Sequence, residues 1–424
     1  MWTNKRFSYT SLNEAYQLIR RALDNIKPET EEIPIFQAYS RVLAEDIISE
    51  INIPPADISH FDGYAIKSED TAHINKAPLT LKVIGRSFLD SEYRGEIHSG
   101  EAVYVSTGCA LPKGADAVIP IESVLEKGDI IEIRRRVGKY ENVTPMGSDF
   151  KKGEVVLKRG QILRAQDIKL LADMKRWHVK VFRKPKVAIL SIGNELTNKI
   201  EETDVKKFNS HGLTLSILVE EAGGTPLDMG VFPDDKLSII NALKRGLERA
   251  DIIATVGGAS VGHKDLTWET VKEFGSEVVL RGIKVQPGRV TSVALANHRP
   301  IVMLPGHIQS MLVGFYFVLL PIINYMQGLP LSHTSITVRA IVSQDIPVRE
   351  FKSFKRVRFV KLIERDEERI AEPLLGDSSL LSIVTKADGF IIVEEGKEMV
   401  KKGEVVNVYL VKGLSRLFAI KQGV

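Results

Sequence analysis

The chain has 424 residues, a length that predicts two to four domains instead of one hydrophobic core. Apolar residues make up 44% and charged residues 26%, which is the composition of a globular protein. The 58 basic and 54 acidic side chains leave a net charge of +4, and this balance argues against a nucleic-acid-binding protein.

Three features bear on the cellular compartment. Cys109 is the single cysteine of the sequence, so an intrachain disulfide and a cysteine-based zinc site are excluded. The first residues are polar and lack the apolar core of a signal peptide. The apolar run at 311–323 contains Pro321 and, at about 13 residues, is shorter than the roughly 20 that span a bilayer. We therefore expect a cytoplasmic protein in which this run is a buried helix.

The first part of the chain combines helices with short strands. Apolar spacing predicts a helix over 9–26, and a second short helix is expected over 35–46. From 51 to 145, short β-rich runs alternate with Gly, Pro and Asp turns, which predicts a β-rich insertion. Residues 146–180 return to mixed structure, with a helix in "RAQDIKLLADM".

From residue 185 onward, strands alternate with helices, which predicts a mostly parallel α/β sheet. Ligands of such sheets bind at the carboxyl ends of the strands. Those ends carry the glycine-containing loops "SIGNEL", "VGGASVGHKD" and "LPGHIQS". None is a Walker A or G-x-G-x-x-G motif, which disfavours an NTPase or a dinucleotide dehydrogenase. The runs after residue 330 are again short strands and predict a small separate β-barrel.

The loop at 256–265 can hold an anion through backbone N–H groups, and a plain tight turn is the alternative interpretation. His60, His263 and His307 lie in such loops, but their spacing is not a zinc-ligand pattern.

Seven motifs occur in one order along nearly the whole chain: "PPADISHFDGYAI", "STGCALPKGADAVIPIE", "SIGNEL", "VGGASVGHKD", "VQPGR", "MLPGHIQSML" and "SSLLSIVTKADGFIIV". Their order and wording resemble the molybdopterin molybdenumtransferase family, which includes bacterial MoeA and the E domain of gephyrin. The resemblance implies a multidomain α/β and β fold. It places a mixed helical linker domain at 1–50 and 146–180, the β-rich insertion at 51–145, a molybdopterin-binding α/β domain at 181–328 and a C-terminal β-barrel at 329–424.

The same resemblance implies an activity. Family members insert molybdate into adenylylated molybdopterin and release AMP, with Mg²⁺ as helper ion. They form an elongated homodimer whose active site lies between the α/β domain of one subunit and the β insertion of the other. A molybdopterin adenylyltransferase would supply the substrate, and neither nucleic acid nor a membrane is expected as a partner.

Candidate site residues follow from the motifs. The resemblance implies catalytic roles for Asp62, Thr107, Glu195 and Asp265, with Asp62 supplied by the partner subunit. Metal ligation falls to Asp149 and to Asp234 or Asp235, because Mg²⁺ prefers carboxylate oxygens. Asp235 and Asp234 also stand where a helix cap is expected. Substrate binding is implied for Asn194, Gly257, Gly258, Ser260, Gly262, Gln286, Gly288, Arg289, Pro305, Gly306 and Ser310.

The sequence departs from the family pattern inside these motifs. Asn194 stands where the family has an aspartate, and Gln286 where it has a lysine, so one carboxylate and one cation are missing. His307 and Ile308 replace an Asn-Pro pair. These changes leave two interpretations open: a transferase with an adapted pocket that takes molybdate or tungstate, and a member that binds pterin or nucleotide as a scaffold. We expect the transferase, because Asp62, Asp149, Glu195, Asp235 and Asp265 remain. The β insertion and the last domain argue against a third interpretation, a protein that only adenylylates molybdopterin.

Overall fold

The computed structural model describes residues 9–74, 78–258, 266–332, 336–348, 350–365 and 368–411. Their contacts define two compact units. The smaller unit consists of Glu32–Tyr39 and Leu43–Lys180, and the larger comprises the remaining chain, chiefly from Val181 onward. The α-helices in these ranges are α1 (Leu12–Leu23), α2 (Ala165–Asp173), α3 (Ser210–Glu221), α4 (Lys236–Arg249), α5 (Leu266–Glu273), α6 (Ile308–Met326, with a π segment at Phe315–Leu319) and α7 (Leu381–Lys386).

The smaller unit contains a six-stranded sheet in the order β4-β1-β3-β2-β6-β5. Its strands are β1 (Gly63–Ile66), β2 (Leu79–Ser87), β3 (Glu101–Val105), β4 (Ala117–Pro120), β5 (Val124–Lys127) and β6 (Ile130–Ile133). Neighbours are antiparallel except β2 and β3. Apolar side chains are buried on both faces of the sheet. The predicted β-rich insertion is therefore present.

The prediction of a helix over 35–46 is wrong. Only Ile35–Gln37 forms a single 3₁₀ turn. Ser40 has a φ of 60°, which a right-handed helix does not tolerate. Leu43 and Ala44 then donate their backbone N–H groups to the carbonyls of Gln161 and Lys180. Long-range pairing satisfies this backbone in place of helical hydrogen bonds.

The larger unit contains a second six-stranded sheet in the order β8-β7-β9-β13-β12-β10. Its strands are β7 (Lys186–Ile192), β8 (Thr225–Phe232), β9 (Ile252–Val256), β10 (Glu277–Arg281), β12 (Ser292–Ala296) and β13 (Arg299–Leu304), and the short β11 (Val285–Gln286) lies outside the sheet. The first four strands in this order are parallel, as predicted. β12 is antiparallel to β13 because Asn297 and His298, both with positive φ, close a two-residue hairpin between them, and β10 pairs antiparallel with β12.

Helices cover both faces of this sheet. Apolar residues of α1, α3 and α6 pack on one face, and those of α4 and α5 pack on the other. Helix α6 is long and apolar enough to cross a membrane by length and composition, but 72% of its most apolar window is buried inside the fold. The interpretation of residues 311–323 as a buried helix is confirmed.

The C-terminal part of the larger unit is a closed five-stranded barrel. Its strands are β14 (Thr337–Val342), β15 (Lys355–Arg365), β16 (Glu368–Pro373), β17 (Gly389–Val393) and β18 (Val405–Leu410), and they pair in the ring β15-β16-β14-β18-β17-β15. Val360 and Leu362 belong to its apolar interior, whereas Val357 and Phe359 face outward into the core around α6. The predicted barrel is confirmed.

Shortening a buried side chain of α6 should destabilise the larger unit. Leu319 is fully buried, so Leu319→Ala should lower the free energy of unfolding by about 3 to 5 kcal/mol through lost burial and an added cavity. Leu237, on α4, is 68% exposed, and Leu237→Ala should change the free energy of unfolding by about 0.5 kcal/mol or less. Urea unfolding of both variants tests this; equal losses would contradict the central position of α6.

Candidate active site

The carboxyl ends of β7, β9 and β13 meet at a cavity of about 210 Å³. The loops that follow these strands and the first turn of α3 form its walls. Glu195, Lys207, Ser210, His211, Gly257 and Gly306 are among its lining residues. This is the edge at which ligands of parallel α/β sheets bind.

Two glycines keep the loop after β9 close to neighbouring backbone. Gly257 has a φ of 86°, and a Cβ there would lie 2.4 Å from the Ile192 carbonyl oxygen. Gly258 has a φ of 66°, and its Cβ would lie 2.1 Å from Thr267 Oγ1. Any side chain would therefore force the loop outward. The other predicted residues of this motif, Ser260, Gly262, His263 and Asp265, lie outside the described residues.

The first turn of α3 forms part of the cavity wall. Asn209 caps the helix by accepting a hydrogen bond from the Gly212 N–H at 3.1 Å. Ser210 and His211 follow and line the cavity, and the first turn contains no acidic residue. Unpaired N–H groups and the helix dipole favour an anion at such a terminus.

His211 is a site residue that sequence reasoning missed. Its Nε2 is buried and has no hydrogen-bond partner within the described ranges. Burial lowers its pKa below the usual value, a hydrogen bond to the Gly306 backbone opposes this, and the charge of His307 lowers it further. The imidazole is therefore neutral at pH 7. The available signal was a histidine two residues after the helix cap Asn209, in the first turn of α3.

The predicted acidic residues of this unit have different environments. Glu195 lines the cavity, and the neighbouring Asn194 accepts a hydrogen bond from the Asp234 N–H at 3.2 Å. Asp234 is exposed. Asp235 caps α4 by accepting hydrogen bonds from Ser238 N at 2.9 Å and Ser238 Oγ at 2.6 Å, which lowers its pKa. The carboxylate of Asp235 is thus used to begin a helix.

In the smaller unit, Asp62 and Thr107 form a pair. Asp62 Oδ1 accepts hydrogen bonds from Thr107 N at 2.7 Å and Thr107 Oγ1 at 3.1 Å, and both residues are exposed. Asp149 lies exposed in a different turn, where its N–H donates to the Ile53 carbonyl at 3.0 Å.

A second polar cluster, which we call the arginine face, consists of Gln286, Arg356 and Arg358. Strands β11 and β15 pair in parallel with Gln286 opposite Arg356, so their side chains share one face, and Arg358 follows on that face. Gln286 Oε1, Arg356 Nε and Arg358 Nε are buried and make no hydrogen bond to the described part of the chain. Sequence reasoning interpreted the segment around 356 only as a strand and missed both arginines.

The remaining predicted residues pack around α6. Gly288, with a φ of 105°, has its Cβ position 2.9 Å from Val313 Cγ1 of α6, and Ser310 and Pro305 are buried. The guanidinium of Arg289 lies over the Phe351 ring, 4.4 Å from its centroid. Gly288 therefore packs closely on α6, whereas Arg289 contacts an aromatic ring.

His307 joins the loop after β13 to the segment before α7. Its Nδ1 lies 2.9 Å from Ser378 Oγ, and Gln309 Nε2 donates to the Asp377 carbonyl at 2.7 Å. Among the residues that the structure describes, no three His, Cys, Asp or Glu side chains form a metal-binding group. A divalent cation held here would therefore need oxygen atoms from a bound substrate as well.

Three family profiles cover most of the sequence. They are described as the MoeA N-terminal region (domains I and II), over 10–174, a probable molybdopterin binding domain, over 188–325, and the MoeA C-terminal region (domain IV), over 339–411.

Relatives and solved structures agree with these profiles. The molybdopterin molybdenumtransferase of Bacillus subtilis is 32% identical over 91% of this chain and 90% of its own, and a putative molybdopterin biosynthesis protein of Methanocaldococcus jannaschii is 32% identical over 94% and 96%. A crystal structure of the MoeA protein from Pyrococcus horikoshii covers 96% of this chain and 100% of its own at 33% identity, with a TM-score of 0.81. The chain therefore belongs to the MoeA family of molybdopterin molybdenumtransferases.

Proposed function

We propose that the protein inserts molybdate or tungstate into adenylylated molybdopterin and releases AMP. The observation that carries this proposal is the cavity at the carboxyl ends of β7, β9 and β13. Glycine backbone, the first turn of α3 and a neutral histidine form its walls. Such walls favour a phosphate-bearing ligand because they present backbone N–H groups, with Lys207 as a cation and Glu195 as the one carboxylate among the described lining residues.

His211 and Ser210 are the side chains best placed to contact the phosphate. The Nε2 of the neutral imidazole of His211 has no partner in the described ranges, and it donates a hydrogen bond to a phosphate oxygen in the Nε2–H tautomer, which gives up the bond to the Gly306 backbone. It would orient the ligand without adding charge. Lys207, at the same cavity, supplies a positive charge at its rim.

The arginine face fits the oxyanion. Arg356 offers a buried Nε with no partner in the described ranges, and rotation of the Gln286 amide would turn its NH₂ group to the position of the unpartnered Oε1. Charge-assisted hydrogen bonds from a guanidinium favour a tetrahedral oxyanion. Gln286 and Arg356 would therefore hold molybdate or tungstate.

Glu195 and Asp234 are the carboxylates that fit Mg²⁺, since their loops are in contact through Asn194 and both carboxylates are free of a helix cap. One or two carboxylates plus substrate phosphate oxygens are the usual ligand set of this ion. Bound Mg²⁺ would neutralise charge on the phosphate oxygens.

The proposed function includes a homodimer in which each subunit contributes to the active site of the other. The exposed Asp62–Thr107 pair is oriented by its own hydrogen bonds and is free to face another surface. In a homodimer it would act in the site of the partner subunit, where the carboxylate of Asp62 would serve as a base or as a ligand of Mg²⁺.

Single-turnover release of AMP from adenylylated molybdopterin tests this function. The purified protein should release AMP only with Mg²⁺ and molybdate or tungstate. Asp62→Ala should slow release by about a hundredfold, the typical effect of losing a positioned carboxylate. Asp90→Ala, in an exposed turn of the same unit, should leave the rate unchanged. Tight nucleotide binding with no AMP release would instead support a scaffold.

Asp234 and Asp235 make a matched test of the metal site. Asp234→Ala should raise the Mg²⁺ concentration needed for half-maximal AMP release and leave stability nearly unchanged. Asp235→Ala should lower the free energy of unfolding by about 1 kcal/mol, because it removes a helix cap, and should leave the Mg²⁺ dependence unchanged. The reverse pattern would assign the metal to Asp235.

The lowered pKa of His211 predicts a pH-dependent stability. Between its folded pKa and its ordinary value of 6.5, the unfolded state binds more protons than the folded state, so stability falls as the pH falls through this window. Urea midpoints measured at about pH 7.5 and about pH 5.5 should differ more in the wild type than in His211→Gln. Equal differences would mean that His211 is not the responsible group.

A further inference from the structure

Arg358 lies on the inner face of the barrel strand β15. Opposite it on β17 is Ile391, and opposite Arg356 is Val393, both residues of the barrel interior. Val357 and Phe359 alternate with the arginines and face the core around α6. Side chains two residues apart on a strand share a face, so Arg356 and Arg358 lie side by side.

The charge environment of this pair is unbalanced. Burial and the neighbouring Arg356 lower the pKa of Arg358 to about 10, and no carboxylate of the described residues contributes to this shift. Glu350 attracts Arg356, whose Nη2 donates to the Glu350 backbone carbonyl. The Nε atoms of both arginines are buried and unpartnered within the described ranges. Two adjacent buried cations are costly unless an anion lies between them.

We propose that Arg358 is a specificity-determining residue of the oxyanion subsite, where it adds a second positive charge and so selects dianions over monoanions. This inference rests on the proposed function and deepens it. Gln286, the third member of the arginine face, is neutral, so both positive charges come from the barrel strand. One guanidinium balances a monoanion, whereas two balance a dianion.

Oxyanions of similar shape and different charge show which of the two properties the subsite recognises. Molybdate, tungstate and perrhenate are tetrahedral oxyanions of similar size, but perrhenate carries one negative charge and the other two carry two. A subsite that recognises shape alone would bind all three alike. A subsite with Arg356 and Arg358 binds molybdate and tungstate alike and perrhenate more weakly, because each charge-assisted hydrogen bond in a buried site contributes to affinity.

Isothermal titration of the full-length protein with each of the three anions tests the inference. The wild type should bind molybdate and tungstate on the order of tenfold to a hundredfold more tightly than perrhenate. Arg358→Gln should weaken dianion binding by a similar factor and weaken perrhenate binding much less. An unchanged ratio of dianion to monoanion affinity in Arg358→Gln would overturn the inference.

Three further variants exclude a merely structural role. Arg358→Lys keeps the charge and should keep the preference for dianions. Gln286→Lys, added to Arg358→Gln, returns a positive charge to the same face and should restore dianion binding. Arg339→Gln removes an exposed arginine of the barrel strand β14 and should change no anion affinity. Failure of the Gln286→Lys rescue, with thermal unfolding unchanged, would also overturn the inference.

Failure of this inference and failure of the proposed function are distinguishable. Anion binding is measured without pterin, whereas the function is measured by AMP release. The inference alone would be overturned if AMP release depends on the oxyanion but the preference for dianions over perrhenate is unchanged in Arg358→Gln. Dianion binding that depends on Arg358, without AMP release, would support the subsite and overturn the proposed transferase function.

Discussion

The pairing of β11 with β15 is the constraint on which the site depends. Only two residues of β11, Val285 and Gln286, take part, and the Lys355 N–H donates to the Lys284 carbonyl at 2.9 Å just before them. This short parallel pair connects the α/β sheet to the barrel. It fixes Gln286 opposite Arg356, and a one-residue slip of β11 would turn Gln286 to the face on which Val285 now packs in the core around α6.

Helix α6 supports the same arrangement from the core side. Its aromatic and aliphatic residues pack both against the sheet and against outward-facing barrel residues such as Phe359 and Phe390. The loop before α6 is then held to the segment before α7 through His307 and Ser378. Apolar packing on one face of β15 therefore orients the polar chemistry on the other.

Local sequence patterns predicted the elements that depend on local physics. Periodicity placed α3, α4 and α6 and the barrel strands, because each buries one regular face. Glycine-rich motifs pointed to the carboxyl ends of the strands, where Gly257 and Gly306 line the cavity. The resemblance supplied the family, and the family profiles confirm it.

The parts that could not be predicted depend on distant segments. The expected helix over 35–46 was lost to hydrogen bonds with residues more than a hundred positions away, at Gln161 and Lys180. The environment of His211 depends on Gly306, and that of Gln286 depends on Arg356. No periodicity of a single segment contains these contacts, because they follow from the pairing order of the strands.

The surroundings of Asn194 and Gln286 suggest how the chain accommodates these two departures from the family pattern. Asn194 retains a structural task, since an amide oxygen accepts the Asp234 N–H as well as a carboxylate does, without placing a second carboxylate beside that of Glu195. At Gln286 the resemblance led us to expect a cation. In this chain a second guanidinium, that of Arg358, lies on the same face. Because electrostatic attraction depends on the distance to the anion and not on the strand that carries the charge, the face can keep two positive charges while their positions change.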